Sequence, residues 1–319
     1  MPHKILIPQA VAKEGVELLT SYGFEVKIGS GAAEADLIKD VADCDAVLLR
    51  TAPCTEEVLK AGKNLKIVAR HGAGYNNVDI EAAAKLGIWV TNAPDSTTNT
   101  VAEFVMGALL SLSKRTFLMN KAIKNNDFFF KNTYKGIDLA GKKLGIIGFG
   151  RIGRKTAHKA YHGFDMKILA YDPFATKENC PDYVTICDWE TIFKEADIIS
   201  LHMPLTKDNI GCVGMAEFKN MKKSALFINC ARGEVVKEKE LIEALQNKEI
   251  AGAFIDVFEQ EPPSMDNPLL SMDNVIVTPH MASNTEECMM LMAVQAASEI
   301  IRVLSNEAPN WPVNKPVKK

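Results

Sequence analysis

Three stretches carry side chains that could act together on a carbonyl group. Asn229-Cys230-Ala231-Arg232-Gly233 offers a guanidinium, Asp256-Val257-Phe258-Glu259-Gln260-Glu261-Pro262 offers carboxylates, and Thr278-Pro279-His280 offers an imidazole. Each stands at the end of an apolar run that reads as a strand: Ala225 to Asn229, Ala251 to Asp256 and Val275 to Thr278. A guanidinium can grip a carboxylate in a fork and help polarise a carbonyl. An imidazole, with an unperturbed pKa near neutrality, can give a proton or take one. A carboxylate paired with it would orient it and favour its protonated form. Taken singly, Arg232 could be a surface cation and His280 a capped core residue. Their joint occurrence at successive strand ends is what points to catalysis.

Those ends follow a second signature, Lys143 to Asp172. The apolar run Leu144-Gly145-Ile146-Ile147 leads into Gly148-Phe149-Gly150-Arg151-Ile152-Gly153, then a helix-like segment from Arg154 to His162, then a second apolar run ending at Asp172. Gly148 allows a tight turn, Gly150 leaves the backbone open to a pyrophosphate, and Gly153 lets helix and sheet approach. The helix N-terminus provides unpaired N–H groups for an anion. Asp172 follows at the distance where a carboxylate meets ribose hydroxyls. Its charge would repel a 2′-phosphate and no arginine follows it closely, so the expected dinucleotide is NAD rather than NADP. In a parallel sheet the three reactive strand ends share an edge with the dinucleotide phosphates, so they converge where a nicotinamide could lie.

The 319 residues point to about two domains with real cores. Hydrophobic content of 47% and charged content of 24% are ordinary for a globular protein. A net charge of −3 gives no broad basic field for nucleic acid or an anionic membrane. No apolar run approaches membrane-spanning length, and Met1-Pro2-His3-Lys4 leads straight into a strand without signal character. The 7 cysteines form no C-x-x-C pair, so no metal site or disulfide framework is expected. Reduced thiols in the cytoplasm are the default.

Along the chain, strands at 4–8, 24–28, 45–50, 65–69 and 88–91 alternate with helical segments at 11–22, 34–42, 55–61 and 78–86. Alternation resumes after Asp172. It implies an α/β protein with doubly wound parallel sheets. Thr100-Val101-Ala102-Glu103 matches a capping box that would open a helix to Ser113, and Ser283 to Glu286 matches another, opening a helix to Ser305. Phe128-Phe129-Phe130 is expected to pack under a loop, and Lys315 to Lys319 to form a solvated tail. No chemical role is assigned to His71, His158, His162 or His202.

With Leu139-Ala140-Gly141-Lys142 ahead of the glycine turn and the arginine, glutamate and histidine motifs after it, the chain resembles the D-isomer-specific 2-hydroxyacid dehydrogenase family over nearly its whole length. The resemblance implies two doubly wound domains, Rossmann-like and flavodoxin-like, with a cleft between them. It implies a discontinuous substrate domain of 1–98 plus 286–319 and an NAD-binding domain of 99–285. Alternation alone would give two consecutive domains. Arg232, Glu261 and His280 would be catalytic. Gly148, Gly150, Gly153, Ala73, Thr100, Arg151, Ile152, Asp172, Cys230, Ala231, Arg232, Asp256, His280, Ala282 and Ser283 would touch the dinucleotide, with Met203 and Pro204 beside the adenine. Cys230 would do so through its backbone. Gly72-Ala73-Gly74 resembles the family's substrate loop, whose N–H groups can form an anion nest. Arg50 resembles the phosphate-facing arginine of phosphoglycerate dehydrogenases, although threonine follows it where serine is usual. Arg50 and Arg70 would clamp a second anion. The implied function is a 3-phosphoglycerate dehydrogenase-like enzyme. A hydroxypyruvate or glyoxylate reductase and an NADH-sensing binding protein of the corepressor type remain open. A homodimer is implied, with the helix from Val101 as a candidate interface.

Overall fold

Short runs of apolar residues that are buried on both sides need a covered parallel sheet. A computed structural model, describing residues 2–317, has two such sheets in two compact units. One unit is Met1–Thr97 with Ser283–Lys319, and the other is Thr98–Ala282. The chain breaks thus fall one and three residues before those implied by the resemblance. Part of the expected tail, Lys318 and Lys319, lies outside the described residues, as does Met1.

The first unit contains β1 (Lys4–Ile7), α1 (Lys13–Ser21), β2 (Glu25–Ile28), α2 (Glu34–Asp40), β3 (Ala46–Leu49), α3 (Glu56–Ala61), β4 (Ile67–Arg70), α4 (Ile80–Leu86) and β5 (Trp89–Thr91). Its sheet order is β2-β1-β3-β4-β5, all parallel, so the winding reverses between β1 and β3. Alternate side chains divide between the faces. Leu6, Val47, Leu49, Val68 and Val90 pack beneath Leu37, Val58, Leu59 and Ala83 of α2 to α4. Ile5, Ile7, Leu48, Ile67 and Ala69 face the other way.

The second unit begins within α5 (Pro94–Lys114), which is followed by α6 (Thr116–Lys124), β6 (Lys143–Ile147), α7 (Arg151–Phe164), β7 (Lys167–Tyr171), β8 (Val184–Ile186), α8 (Trp189–Glu195), β9 (Ile198–Leu201), α9 (Met215–Asn220), β10 (Leu226–Asn229), α10 (Glu238–Gln246), β11 (Gly252–Ile255) and β12 (Val275–Val277). Its parallel order, β12-β11-β10-β9-β6-β7-β8, is the doubly wound pattern of dinucleotide-binding sheets with one further strand. The winding reverses between β6 and β9. Leu144, Ile146, Ile198, Ile228 and Phe254 form one core with α5 and α7, while Ile147, Ile199, Leu201, Phe227 and Ile255 form the other with α8 to α10.

The chain returns to the first unit through α11 (Glu286–Leu304). Ala296, Ala297, Ile300 and Ile301 cover the sheet face opposite α2 to α4. Gly15 of α1 lies so close to α11 that a Cβ there would come within 2.8 Å of the Ala293 side chain.

Four sequence expectations change. Thr100 does not cap a helix, because α5 already starts at Pro94. Proline suits that first position, having no N–H to satisfy and a preset φ. Glu103 accepts instead from Asn99 and Lys159 within the second unit. The cap of α11 is Thr285, whose hydroxyl accepts from Cys288 N at 3.2 Å, not Ser283. Phe128 and Phe129 are 58% and 73% exposed rather than packed under a loop. The described part of the C-terminal segment is tied along β5 and α4, with Val313 N donating to Val90 O and Val317 N to Ala84 O.

His71, directly after β4, is buried, and its Nε2 lies 3.2 Å from the Met289 carbonyl, so that nitrogen carries the proton of a neutral ring. Burial, reinforced by the charge of Arg50, pushes its pKa down to about 4. The unfolded chain takes up this proton below about 6.5 while the folded one does not, so stability falls as pH drops through that window. We predict that His71→Gln loses less stability than the parent between about pH 6.5 and 5, measured by urea midpoints. Equal losses would contradict the assignment.

Candidate active site

The histidine turn is built on a buried carboxylate. Asp256, just past β11, accepts from Thr278 Oγ1 at 2.6 Å and Met281 N at 2.8 Å through Oδ1, and from Ala282 N at 3.0 Å through Oδ2. Its backbone carbonyl takes the N–H of His280 at 2.8 Å. Burial raises the Asp256 pKa, against the pull of these donors. The turn they secure holds His280 at φ 49°, a left-handed conformation that side-chain-bearing residues seldom adopt. Both carboxylate oxygens of Asp256, a residue expected at the dinucleotide, are thus engaged in positioning His280.

His280 Nδ1 lies 2.7 Å from Glu261 Oε2, and both side chains are partly exposed. The other oxygen of Glu261 accepts from Phe258 N at 3.1 Å. Burial acts to raise the Glu261 pKa, but the hydrogen bond and charge of His280, the Phe258 amide and Arg232 together lower it. The carboxylate form is therefore the resident one, and it fixes the ring with Nε2 directed away from the glutamate.

Arg232 approaches from the end of β10. Asn229 holds its loop by donating Nδ2 to Arg232 O at 2.9 Å and accepting from Ala231 N at 3.0 Å. Burial lowers the Arg232 pKa, with Glu234 and Glu261 opposing. Gly233 permits the close approach. A Cβ there would collide with the backbone of Phe258 and Glu259, so any side chain would push the arginine loop from the glutamate loop. Cys230 is partly exposed, but burial of its thiol raises its pKa well above the ordinary value, which suits no nucleophilic role. Roles for Asn229, Gly233 and Thr278 were not read from the sequence. Only their presence inside the motifs could have flagged them.

The β6–α7 turn lies on the same carboxyl edge of this sheet. Gly148 has φ 93°, and a Cβ on it would come within 2.6 Å of Met203 N, at the end of β9. Met203 and Pro204 therefore flank the point where the winding reverses. A Cβ on Gly153 would strike the Gly148 carbonyl, whereas one on Gly150 would meet nothing within 4 Å. Arg151 and Ile152 open α7. Asp172, after β7, accepts from Phe149 N at 2.7 Å and Phe174 N at 2.8 Å. Thr100 lies within α5 and Ala282 directly after the histidine turn.

The remaining predicted residues belong to the first unit. Arg50 follows β3 and donates Nη1 to Ala10 O at 3.0 Å. Arg70 ends β4, donating Nη1 to His71 O and Nε to Asn77 Oδ1 at 3.3 Å. Gly72, at φ 137°, has no side chain to collide with the Arg70 guanidinium. Ala73 accepts from Asn92 Nδ2 at 2.7 Å, and Gly74 follows it in the same loop. Ser283 begins the returning segment.

A family model described as the NAD-binding domain of D-isomer-specific 2-hydroxyacid dehydrogenases matches residues 106–282. The D-3-phosphoglycerate dehydrogenase of Archaeoglobus fulgidus is 37% identical over 98% of this chain and 59% of its own. This chain belongs to the D-isomer-specific 2-hydroxyacid dehydrogenase family. It spans about three fifths of that relative's length. The glyoxylate reductase of Korarchaeum cryptofilum is 36% identical over 100% of this chain and 98% of its own. Among solved structures, the NAD+-bound 3-phosphoglycerate dehydrogenase of Entamoeba histolytica superposes with a TM-score of 0.84 at 31% identity, covering 99% of this chain and 100% of that one.

The cofactor of this dehydrogenase family member is NAD, and its glycine turn fits that dinucleotide. The open space at Gly150 gives phosphates access to the N–H groups that start α7. Asp172, braced by two amides, retains lone pairs for ribose hydroxyls.

Asp256→Ala would leave the Thr278 hydroxyl and two backbone N–H groups without their acceptor. We predict a loss of about 2–4 kcal/mol in unfolding free energy, measured in urea. Unchanged stability would show that the carboxylate does not hold the turn.

Proposed function

We propose that this chain is an NAD-dependent oxidoreductase that interconverts a 2-keto acid and its D-2-hydroxy acid. The observation that carries the reading is the His280–Glu261 pair, set beside Arg232 on the carboxyl edge of an NAD-binding sheet. NADH, when bound, would supply the hydride that the carbonyl carbon takes up. Arg232 grips the substrate carboxylate and draws electron density towards the carbonyl oxygen. His280, with Nδ1 occupied by Glu261, delivers the proton to that oxygen from Nε2 and takes it back in the oxidation. In the first unit, Gly72-Ala73-Gly74 offers backbone N–H groups of the kind that hold a carboxylate.

For the substrate we favour a 3-phosphoglycerate dehydrogenase-like activity. Arg50 stands where the first sheet reverses its winding, a usual place for ligands, and its fork has donors beyond the one on Ala10. The second reading, a hydroxypyruvate or glyoxylate reductase, draws support from Arg70. That guanidinium is turned to His71 and Asn77, so a phosphate would meet Arg50 without a paired clamp. An NADH-sensing protein would bind the dinucleotide without turnover.

We also propose a homodimer and a cytoplasmic location. The apolar residues of α5 are used up in the core, whereas Phe117, Ile123, Phe128, Phe129 and Tyr134 are exposed along the next stretch, a surface that a second copy would cover. A single-chain mass in light scattering would remove the dimer. All seven cysteines are free thiols, as a reducing compartment favours. Disulfides in protein isolated without reductant would count against that location.

The direct test is oxidation of NADH in the presence of 2-keto acids. We predict steady turnover with hydroxypyruvate, and a fall in kcat of about 10²–10⁴-fold in His280→Gln with NADH binding retained. Absence of turnover with any 2-keto acid, in folded protein that binds NADH, would favour the sensor. Arg50→Ala should raise KM for a phosphorylated keto acid far more than for glyoxylate. Equal effects would remove the phosphate reading.

A further inference from the structure

The segment after β3 is held from both sides by side-chain amides. Gln9, two residues past β1, turns Oε1 to the N–H groups of Thr51 and Ala52, 2.9 Å from each. Its Nε2 donates to Thr51 Oγ1 at 2.8 Å. From the other side, Asn77 donates Nδ2 to the carbonyl of Arg50 at 3.2 Å and that of Ala52 at 2.8 Å. The backbone adds Cys54 N to Asn77 O at 2.7 Å. The Arg50 guanidinium is itself anchored to Ala10, the neighbour of Gln9. These contacts all lie within the first unit, at the reversal between β1 and β3.

Residues 50–52 have left the strand ladder, so their backbone groups need other partners. Thr51 is exposed, and water could have met that need without fixing the segment. Two amides approaching from different loops satisfy four backbone groups and fix where they point. The only long cation in the segment is Arg50. Its backbone carbonyl is held by Asn77 and its guanidinium by Ala10, while Gln9 holds the next two residues.

We infer that Gln9 and Asn77 are positioning residues that set the Arg50 guanidinium for a second anionic group on the substrate, and so set the preference between phosphorylated and unphosphorylated 2-keto acids. This rests on the proposed role of Arg50. Neither amide touches reacting atoms in this scheme. Losing Gln9 allows Arg50 to wander, which weakens an anion contact made at fixed distance and leaves the proton transfer at His280 alone.

The test compares Gln9→Leu, Gln9→Glu and Arg50→Ala in the whole protein with saturating NADH. The substrates are 3-phosphohydroxypyruvate and glyoxylate. Gln9→Leu should raise KM for the phosphorylated acid about 5–20-fold, while KM for glyoxylate and both kcat values stay within about twofold. Gln9→Glu, which keeps an acceptor oxygen for the two N–H groups, should recover most of the loss. Calorimetric titration with 3-phosphoglycerate reads the same selectivity without turnover. Equal changes for both acids, or no change, would overturn the inference. If Arg50→Ala also fails to discriminate, the phosphate reading itself falls. If Arg50→Ala discriminates and Gln9→Leu does not, only the amide clamp falls.

Discussion

One buried carboxylate, Asp256, sets the geometry on which the candidate chemistry depends. A left-handed backbone at a histidine is unfavourable, by an amount on the order of 1–2 kcal/mol. Three hydrogen bonds to the Asp256 side chain and one to its carbonyl oppose that cost. Water would compete with such bonds at an exposed site, but Asp256 is fully buried, so leaving the donors unmade there is costly. The result is an imidazole whose backbone is fixed before any ligand arrives. Glu261 then fixes the ring, so both the position and the usable nitrogen are set by protein contacts.

The rest of the second sheet delivers partners to that ring. Parallel pairing puts the ends of β6, β7, β9, β10, β11 and β12 on one edge, so side chains far apart in sequence come together without long loops. Missing side chains close the remaining gaps. Gly233 brings the arginine loop onto the glutamate loop, and Gly148 brings the nucleotide turn onto the end of β9. The first unit solves the related problem of holding a cation at a strand end with side-chain amides instead.

Much of this was legible in the residues. Strands buried on both faces read as apolar runs, and the glycine turn with Asp172 has a spacing that the physics of phosphate binding explains. The arginine, glutamate and histidine were legible because each follows the end of such a run by a few residues. The discontinuous division came from resemblance, since alternation has no marker for a chain that leaves a unit and returns to it. Local signals misled where two starts competed. A capping pattern at Thr100 lost to a proline six residues earlier, and one at Ser283 lost to Thr285. Helix α6 starts without a capping side chain, and the edge strand β8 has only three residues. The contacts of Asp256, Gln9 and Asn77 left no pattern at all, because polar bonds between distant loops have no period.

His280, aimed by Asp256 and Glu261, is expected to meet the substrate oxygen through Nε2. The most direct measurement is a crystal structure with NAD and a 2-hydroxy acid bound. His280 Nε2 should lie within about 2.6–3.2 Å of the substrate hydroxyl, with Nδ1 still on Glu261. An imidazole turned from the hydroxyl, or another side chain in that place, would contradict it.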